Sequence, residues 1–189
     1  DMKTEIILVT DRSGSMEKID EAACAGINSF MEEQQGVPGE ARVTTVFFDD
    51  LYEVRQQGLP IERWMTLHTV GPRNMTALRD AIGETIMRQG DRIAKEGWAD
   101  LVICVVTTDG LENKSRKYSQ AQVKELVEQA QARGWQFIFL AANQDAVVTG
   151  AQYGFKAETS YTFQADAAGT QAGYSTASTT TRSMRGTCL

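Results

Sequence analysis

Five oxygen-bearing side chains lie in three polar segments of the chain, and together they could bind a metal ion. Asp11, Ser13 and Ser15 alternate along one loop, so their oxygen atoms can converge on one point. Thr76 directly precedes a predicted helix, and Asp109 follows the most hydrophobic predicted strand. Oxygen ligands without His or Cys suit Mg²⁺ or Mn²⁺, whereas Ca²⁺ needs a larger and looser shell and is less favoured. Two carboxylates are few for a doubly charged ion, which should therefore still attract an anionic ligand.

Strand and helix patterns alternate along the chain and place these segments between regular elements. Short apolar runs predict strands, which cover residues 5–10, 41–48, 51–57, 101–106, 136–141 and 159–163. Apolar residues that recur at three- and four-residue steps predict helices between them. The helices cover residues 16–35, 77–94 and 119–133, with a short one after Asn143. Residues 58–73 are expected to be mostly irregular.

The alternation indicates a doubly wound α/β fold, in which a mostly parallel sheet is covered by helices on both faces. Residues 51–57 follow the Asp49-Asp50 turn and return along residues 41–48 as a hairpin, the one antiparallel element that we expect. In doubly wound sheets, ligands bind beyond the carboxyl ends of the strands. The loops that follow the first strand and the 101–106 strand are therefore the expected site.

The end of the chain differs in composition from the rest. From Ala165 to Leu189, 17 of the 25 residues are Ala, Gly, Ser or Thr. We therefore divide the chain into a domain of residues 1–163 and a C-terminal arm of residues 164–189. The arm is either a docked helix or a weakly ordered tail, and its composition leaves both alternatives open.

Composition excludes several classes of function. The net charge is −6, from 19 Lys and Arg against 25 Asp and Glu, which is unfavourable for binding nucleic acid. The apolar runs are too short to span a membrane, and no secretory signal is evident. Cys24, Cys104 and Cys188 are widely spaced and form no CxxC pair, which favours a reducing, cytoplasmic location. His68 is the single histidine, which weakens every mechanism that needs several.

Two alternatives to a binding module remain. An aspartate at the end of a first strand also begins the haloacid-dehalogenase phosphatases, where it is a nucleophile beside Mg²⁺ in an Asp-x-Asp-x-Thr motif. Here Ser13 replaces the second acid, which removes the expected general acid. No glycine-rich phosphate loop is present either, so we expect no enzyme. The second alternative is a structural or assembly protein that acts through the C-terminal arm.

The three polar segments resemble a known family. Asp11-x-Ser13-x-Ser15 after the first strand, Thr76 ahead of a helix, and Thr-Asp109-Gly after the central strand look like a von Willebrand factor A domain. The five residues match that family's metal-ion-dependent adhesion site, and the resemblance covers about residues 3–163. It implies a Rossmann-like sheet with one antiparallel edge strand. It also implies Mg²⁺ held by the serines directly and by the threonine and aspartates directly or through water, with a partner's carboxylate completing the shell.

A finer resemblance concerns the segment Leu140-Ala-Ala-Asn-Gln-Asp145, which is followed by a helix. This segment is similar to small stand-alone bacterial and phage members of the family. It implies an intracellular adaptor that recruits a protein partner through an acidic residue. Family members of this kind often serve AAA-type ATPases or act in stress and defence systems, and the resemblance implies neither nucleic acid nor membrane as a partner.

Two features near the predicted site have simpler explanations beside the functional ones. Five basic residues fall in the surrounding loops and could form a positive rim that attracts an acidic partner, although each alone is typical of a solvated surface. They are Arg12, Arg73, Lys114, Arg116 and Lys117. Thr76 is also a good N-cap for the helix that follows it, and this role can coexist with metal binding. Asn74 and Met75 occupy positions where the family often has glycines.

Overall fold

The structure is a computed structural model that describes residues 1–186, and within them six strands form one sheet. The strands are β1 (Lys3–Asp11), β2 (Glu40–Phe48), β3 (Tyr52–Pro60), β4 (Leu101–Thr108), β5 (Gln136–Ala142) and β6 (Ser160–Phe163). Their order is β3-β2-β1-β4-β5-β6, and only the β2–β3 pair is antiparallel. This confirms the predicted α/β fold with one antiparallel edge strand. Cys188 and the end of the C-terminal arm lie outside the described residues.

Five α-helices occur in the described part of the chain. They are α1 (Asp20–Gln35), α2 (Leu78–Glu96), α3 (Gln120–Ala132), α4 (Ala146–Gln152) and α5 (Ala167–Gly186). The prediction that the first helix starts at residue 16 is wrong, because Gly14–Ile19 form a tighter 3₁₀ helix ahead of α1. None of the helices within residues 1–186 is long and apolar enough to cross a membrane.

The core has two layers because β1 carries buried apolar side chains on both faces. Ile6 and Leu8 pack with α1 and α5, whereas Ile7 and Val9 pack with α2 and α3 on the opposite face. Helices therefore cover both faces of the sheet, as predicted. Successive side chains of a strand alternate between faces, so every second residue of β1 from position 5 to position 11 faces the α2 layer.

The hairpin is longer than predicted. β3 continues to Pro60, and a 3₁₀ turn follows at Ile61–Arg63, so the predicted irregular segment begins only after it. Gly58 has a φ of 63° where the register between β2 and β3 shifts. A glycine with positive φ in a strand marks a bulge, and the bulge interrupts the alternation from which the strand could have been recognised.

The C-terminal arm forms α5 over Ala167–Gly186, and this helix packs against α1. Gly26 of α1 faces Tyr174, where a Cβ atom would lie 2.5 Å from the ring. Gln34 Nε2 donates to the Ser178 carbonyl oxygen at 3.0 Å, and Arg185 Nη1 donates to the Gln34 carbonyl oxygen at 2.8 Å. The missing side chain at Gly26 lets the two helices approach closely. The division of the chain after residue 163 stays a prediction.

Candidate metal centre

Two neighbouring strands end at the candidate site. β1 ends at Asp11 and β4 ends at Thr108, and the pairing of Thr10 with Thr107 sets these two strand ends side by side. Thr108 Oγ1 donates a hydrogen bond to Asp11 Oδ2 at 2.8 Å. Asp109 is the next residue, so both predicted carboxylates lie at the carboxyl edge of the sheet.

The loop after β1 folds back on itself and brings the two serines together. The backbone N–H of Ser13 donates to Asp11 Oδ1 at 2.6 Å, which starts a tight turn. Ser13 Oγ and Ser15 Oγ are 3.1 Å apart, and Ser15 Oγ donates to Asp109 Oδ1 at 2.7 Å. The 3₁₀ helix therefore has a role at the site, since its first turn carries Ser15 across to β4.

The segment that carries Thr76 is held against this loop by backbone hydrogen bonds. Gly14 N donates to the Asn74 carbonyl oxygen at 2.9 Å, and Ala77 N donates to the Asp49 carbonyl oxygen at 2.9 Å. Thr76 N donates to Asn113 Oδ1 at 2.9 Å, while Asn113 N donates to the Thr76 carbonyl oxygen at 3.0 Å. Thr76 is thereby fixed between the β1 loop and the β4 loop.

The Thr76 hydroxyl borders the same space as Ser15. A Cβ atom built on Gly110 would lie 3.6 Å from Thr76 Oγ1 and 3.7 Å from Ser15 Oγ. The fold therefore brings together all five predicted site residues, while their ligation of a metal stays a prediction. The alternative role of Thr76 as an N-cap is wrong, because α2 begins at Leu78 and Ala77 occupies the N-cap position without a side-chain cap.

The two carboxylates are almost completely buried. Asp11 is 0% exposed and Asp109 is 3% exposed. Burial raises the pKa of Asp11 to about 6, although hydrogen bonds from Ser13 and Thr108 lower it, and the charge of Asp109 raises it further. A buried carboxylate is costly without a compensating positive charge. A cation between these oxygens would supply that charge, so the donors fit a divalent ion in chemistry as well as in position.

The site differs from an acid-rich or histidine-rich metal centre. Across residues 1–186, no group of three or more His, Cys, Asp or Glu side chains is arranged to hold a metal. Here two carboxylates are joined by hydroxyl oxygens, which are neutral donors. A metal bound by this set of donors would depend on the hydroxyl oxygens, so the loss of one hydroxyl should lower the metal affinity strongly.

Ion pairs within the chain engage part of the predicted positive rim. Arg12 is 8% exposed, donates from Nε and Nη2 to the Gly71 carbonyl oxygen and forms an ion pair with Glu53. Arg73 Nε donates to Asp49 Oδ2 at 2.6 Å. Lys117 Nζ is 3.2 Å from Glu84 Oε1. Three of the five cations are therefore engaged in ion pairs within the chain, and Arg12 is turned away from solvent.

Several residues beyond the five predicted ligands support the site. Asp49, for which the sequence indicated chiefly a turn, is buried and accepts hydrogen bonds from Arg73 and Asn74. Asn143 Nδ2 donates to the Asp109 carbonyl oxygen at 2.7 Å, and Gln144 Nε2 donates to the Gly110 carbonyl oxygen at 2.9 Å. These amides anchor the loop after β4. The Asn-Gln pair directly after an apolar strand was the signal available for them.

Comparison with solved structures identifies the fold. The von Willebrand factor domain of a type V pilus tip protein from Porphyromonas gingivalis aligns with a TM-score of 0.68 at 10% identity, over 95% of this chain and 95% of that one. The chain has the fold of a von Willebrand factor A domain. The resemblance read from the three polar segments is therefore confirmed at the level of the fold.

Two further solved structures that match this fold contain metal. The manganese-loaded TRAP protein of Plasmodium vivax aligns with a TM-score of 0.60 at 16% identity, over 91% of this chain and 72% of that chain. Proximal thread matrix protein 1 from the mussel byssus, with a zinc-occupied MIDAS motif, aligns at 0.63 and 16% identity over 93% of this chain. This chain spans only 47% of the mussel protein. No family model and no curated protein matches the sequence.

Proposed function

We propose that this A domain is a divalent-cation-dependent module that binds a protein partner. Asp11, Ser13, Ser15, Thr76 and Asp109 hold the ion, and an Asp or Glu of the partner completes its coordination. The observation that carries the proposal is the continuous run of oxygens from Ser13 through Ser15 to Asp109, with contacts of 3.1 and 2.7 Å. The ion supplies a positive charge at which a carboxylate can bind.

We propose Mg²⁺ or Mn²⁺ as the ion. Carboxylate and hydroxyl oxygens are donors that these hard cations prefer, and Mg²⁺ readily keeps waters in its remaining positions. The manganese-loaded TRAP protein and the mussel protein with a zinc-occupied MIDAS motif support a divalent ion in a protein of this fold. The thermal melts described below distinguish Mg²⁺ from Mn²⁺.

The proposal describes binding without bond cleavage. In the phosphatases that share an aspartate at the end of the first strand, a second acid two residues later protonates the leaving group. Here that position is Ser13, whose hydroxyl contacts Ser15 at 3.1 Å. A hydroxyl is a poor general acid, so Asp11 acts as a ligand and not as a nucleophile in this proposal.

The proposal extends to the cellular setting of the protein. We propose an intracellular bacterial or phage adaptor whose partner is an AAA-type ATPase or a component of a stress or defence system. Support comes from the resemblance of residues 140–145 to stand-alone members and from Cys24 and Cys104, which are both free and buried. The solved pilus protein shows that the fold itself also occurs in cell-surface proteins.

The first experiment is a thermal melt of the metal-free protein with EDTA, Mg²⁺, Mn²⁺ and Ca²⁺, on the wild type and on Ser13→Ala. A ligand at ~100 times its dissociation constant adds about 2.7 kcal/mol, which is roughly 5–10 °C in Tm for a domain of this size. We expect Mg²⁺ or Mn²⁺ to raise the wild-type Tm and to leave Ser13→Ala unchanged. Ser175→Ala, an exposed serine of α5, is the matched control and should respond like the wild type.

The second experiment tests whether a partner binds through a carboxylate. A library of random displayed peptides is selected on the immobilised protein in Mn²⁺ and eluted with EDTA. We expect every enriched peptide to contain Asp or Glu and to lose binding when that residue becomes Asn or Gln. A wild type that does not respond to any metal, or peptides that bind equally in EDTA, would contradict the proposed function.

A further inference from the structure

Exposed hydrophobic side chains are concentrated at the edge of the sheet that carries the candidate metal centre. Seven large hydrophobic residues are exposed within residues 1–186, and only Met65 and Met87 of these lie away from this edge. The other five form what we call the apolar collar: Leu51 at 63% exposed, Met75 at 44%, Leu111 at 64%, Val147 at 43% and Val148 at 57%.

The strand order places the apolar collar on two sides of the site. Leu51 follows β2, and Met75 N donates to Asp50 Oδ1 at 2.9 Å, so these two residues belong to adjoining loops. Leu111 follows Gly110, whose carbonyl oxygen accepts from Gln144 Nε2 in the loop that leads to α4. Since β2 lies beside β1 and β5 lies beside β4, one group lies on each side of the β1–β4 centre.

The fold does not require apolar residues at these positions. α4 packs inward through Ala146 and Gly150, both buried, whereas Val147 and Val148 on the same short helix face solvent. Scattered exposed hydrophobic residues are normal in a folded protein, but a group of them around one site indicates a surface for docking. The collar also occupies the edge where a positive rim was expected and where Arg12 is turned inward.

We propose that the apolar collar selects a protein segment in which the metal-binding Asp or Glu is flanked on both sides by apolar residues. This inference rests on the proposed function and adds the chemistry of the partner. The ion binds the carboxylate of the segment. The apolar side chains that flank it are buried against the two groups of the collar, Leu51 and Met75 on one side and Leu111, Val147 and Val148 on the other. Affinity then comes from apolar burial around a single charge contact.

A protein segment fits this surface better than an anionic membrane does. The chain has a net charge of −6, and the exposed Asp50 and Asp145 lie directly beside collar residues. A membrane with anionic lipids attracts basic segments and repels acidic ones. A peptide with one carboxylate among apolar residues brings a single negative charge, which the ion neutralises.

The test uses the peptides that the selection in Mn²⁺ recovers. We expect apolar residues to be enriched within three positions on both sides of the required Asp or Glu. Leu111→Ser and Val148→Ser should each weaken binding of such a peptide by about tenfold, as expected for one large apolar side chain that is no longer buried. Both variants should keep the wild-type metal shift in the melt, because their side chains are exposed and are not ligands.

The matched control is Met87→Ser. Met87 is 53% exposed and lies in the middle of α2, so its loss should leave peptide affinity unchanged. If acidic peptides are recovered without apolar flanks, or if Leu111→Ser binds as well as Met87→Ser, the collar has no role and the metal-dependent function still stands. If the metal shift of the wild type is absent, the proposed function itself fails.

Three other outcomes would overturn the inference. A selection that yields no EDTA-eluted peptide, with the metal shift intact, excludes the collar as a peptide-binding surface. Metal-dependent dimers in sedimentation that Leu111→Ser abolishes would identify a second copy of the chain as the occupant. Metal-dependent binding to phosphatidylserine vesicles that Leu111→Ser abolishes would identify a membrane.

Discussion

Two carboxylates on the same face of β1 have opposite surroundings. Glu5, near the amino end of the strand, forms an ion pair with Arg92 of α2, and Arg92 also contacts Thr44 and Gln89. Asp11, at the carboxyl end, is held by Ser13 and Thr108, which carry no charge. Within residues 1–186, Arg92 supplies a cation to Glu5, whereas no Lys or Arg side chain pairs with Asp11. The first carboxylate therefore stabilises the fold, and the second is the one that we propose to bind an ion from solution.

The largest change in stability is expected when Arg92, the cation that pairs with Glu5, is removed. Arg92→Met leaves Glu5 buried without its partner, which should lower the free energy of unfolding by about 3–5 kcal/mol. Urea denaturation at pH 7 measures this. Arg88→Met is the control, because Arg88 pairs with Glu84 on the surface and its loss should cost at most ~0.5 kcal/mol. If both variants lose the same free energy of unfolding, the ion pair of Glu5 does not stabilise the fold more than a surface ion pair does, and the contrast between Glu5 and Asp11 fails.

The same variant has a predictable pH dependence. Burial raises the pKa of Glu5 even with Arg92 present, and removal of Arg92 should raise it further. The folded state then holds a proton that the unfolded state releases, so stability falls as pH rises from the unfolded pKa through the folded one. We expect Arg92→Met to regain stability relative to the wild type when urea denaturation is repeated from pH 7 down to pH 5. If the difference in the free energy of unfolding between Arg92→Met and the wild type is constant over this range, the loss of packing and not the unpaired charge causes the destabilisation.

The second largest effect is expected for the metal-dependent stability of an Asp11 variant. Asp11→Asn should leave the unfolding free energy in EDTA within about 1 kcal/mol of the wild type, because it removes a buried charge that pairs with no cation among the described residues. It should abolish the metal-dependent gain, which is about 2.7 kcal/mol at ~100 times the dissociation constant. Thermal melts with and without Mn²⁺ measure both quantities. Severe destabilisation in EDTA would mean that Asp11, like Glu5, mainly supports the fold.

A smaller effect is expected from the residue that orients Asp11. Thr108→Val keeps the shape of the side chain and removes the 2.8 Å hydrogen bond to Asp11 Oδ2. Residues that support metal ligands typically change affinity by roughly 10-fold or more. Titration calorimetry with Mn²⁺ should show this loss, and Thr179→Val on the exposed side of α5 should show none. An unchanged affinity would mean that Asp11 is oriented by Ser13 alone.

The smallest expected effect is the absence of turnover. With Mg²⁺ or Mn²⁺ present, the wild type should not hydrolyse an aryl phosphate above the rate of a heat-treated sample. The reason is that Ser13 occupies the position where a phosphatase has its general acid. Turnover that disappears in Asp11→Asn would make Asp11 a nucleophile and overturn the assignment of a binding module.

Local patterns predicted the elements well but not their ends. The run Glu5 to Thr10 predicted a buried strand, and the observed strand covers it from Lys3 to Asp11. The predicted start of α1 was wrong because the apolar residues Met16 and Ile19 fit the period of an α-helix, whereas their backbone forms a 3₁₀ helix. Both backbones bury one side of a turn, so a pattern of apolar residues does not separate them.

The sequence by itself determined the alternation of strands and helices, and the spacing of Asp11, Ser13 and Ser15 on one loop, because both depend on residues close together in the chain. Tertiary structure alone decided which carboxylate is paired within the chain. Glu5 and Arg92 are 87 residues apart, and only the packing of α2 on β1 brings them together. It also decided that Arg12 turns inward and that five exposed hydrophobic residues from remote segments lie on two sides of one site. The proximity of remote segments follows from the strand order and not from local spacing.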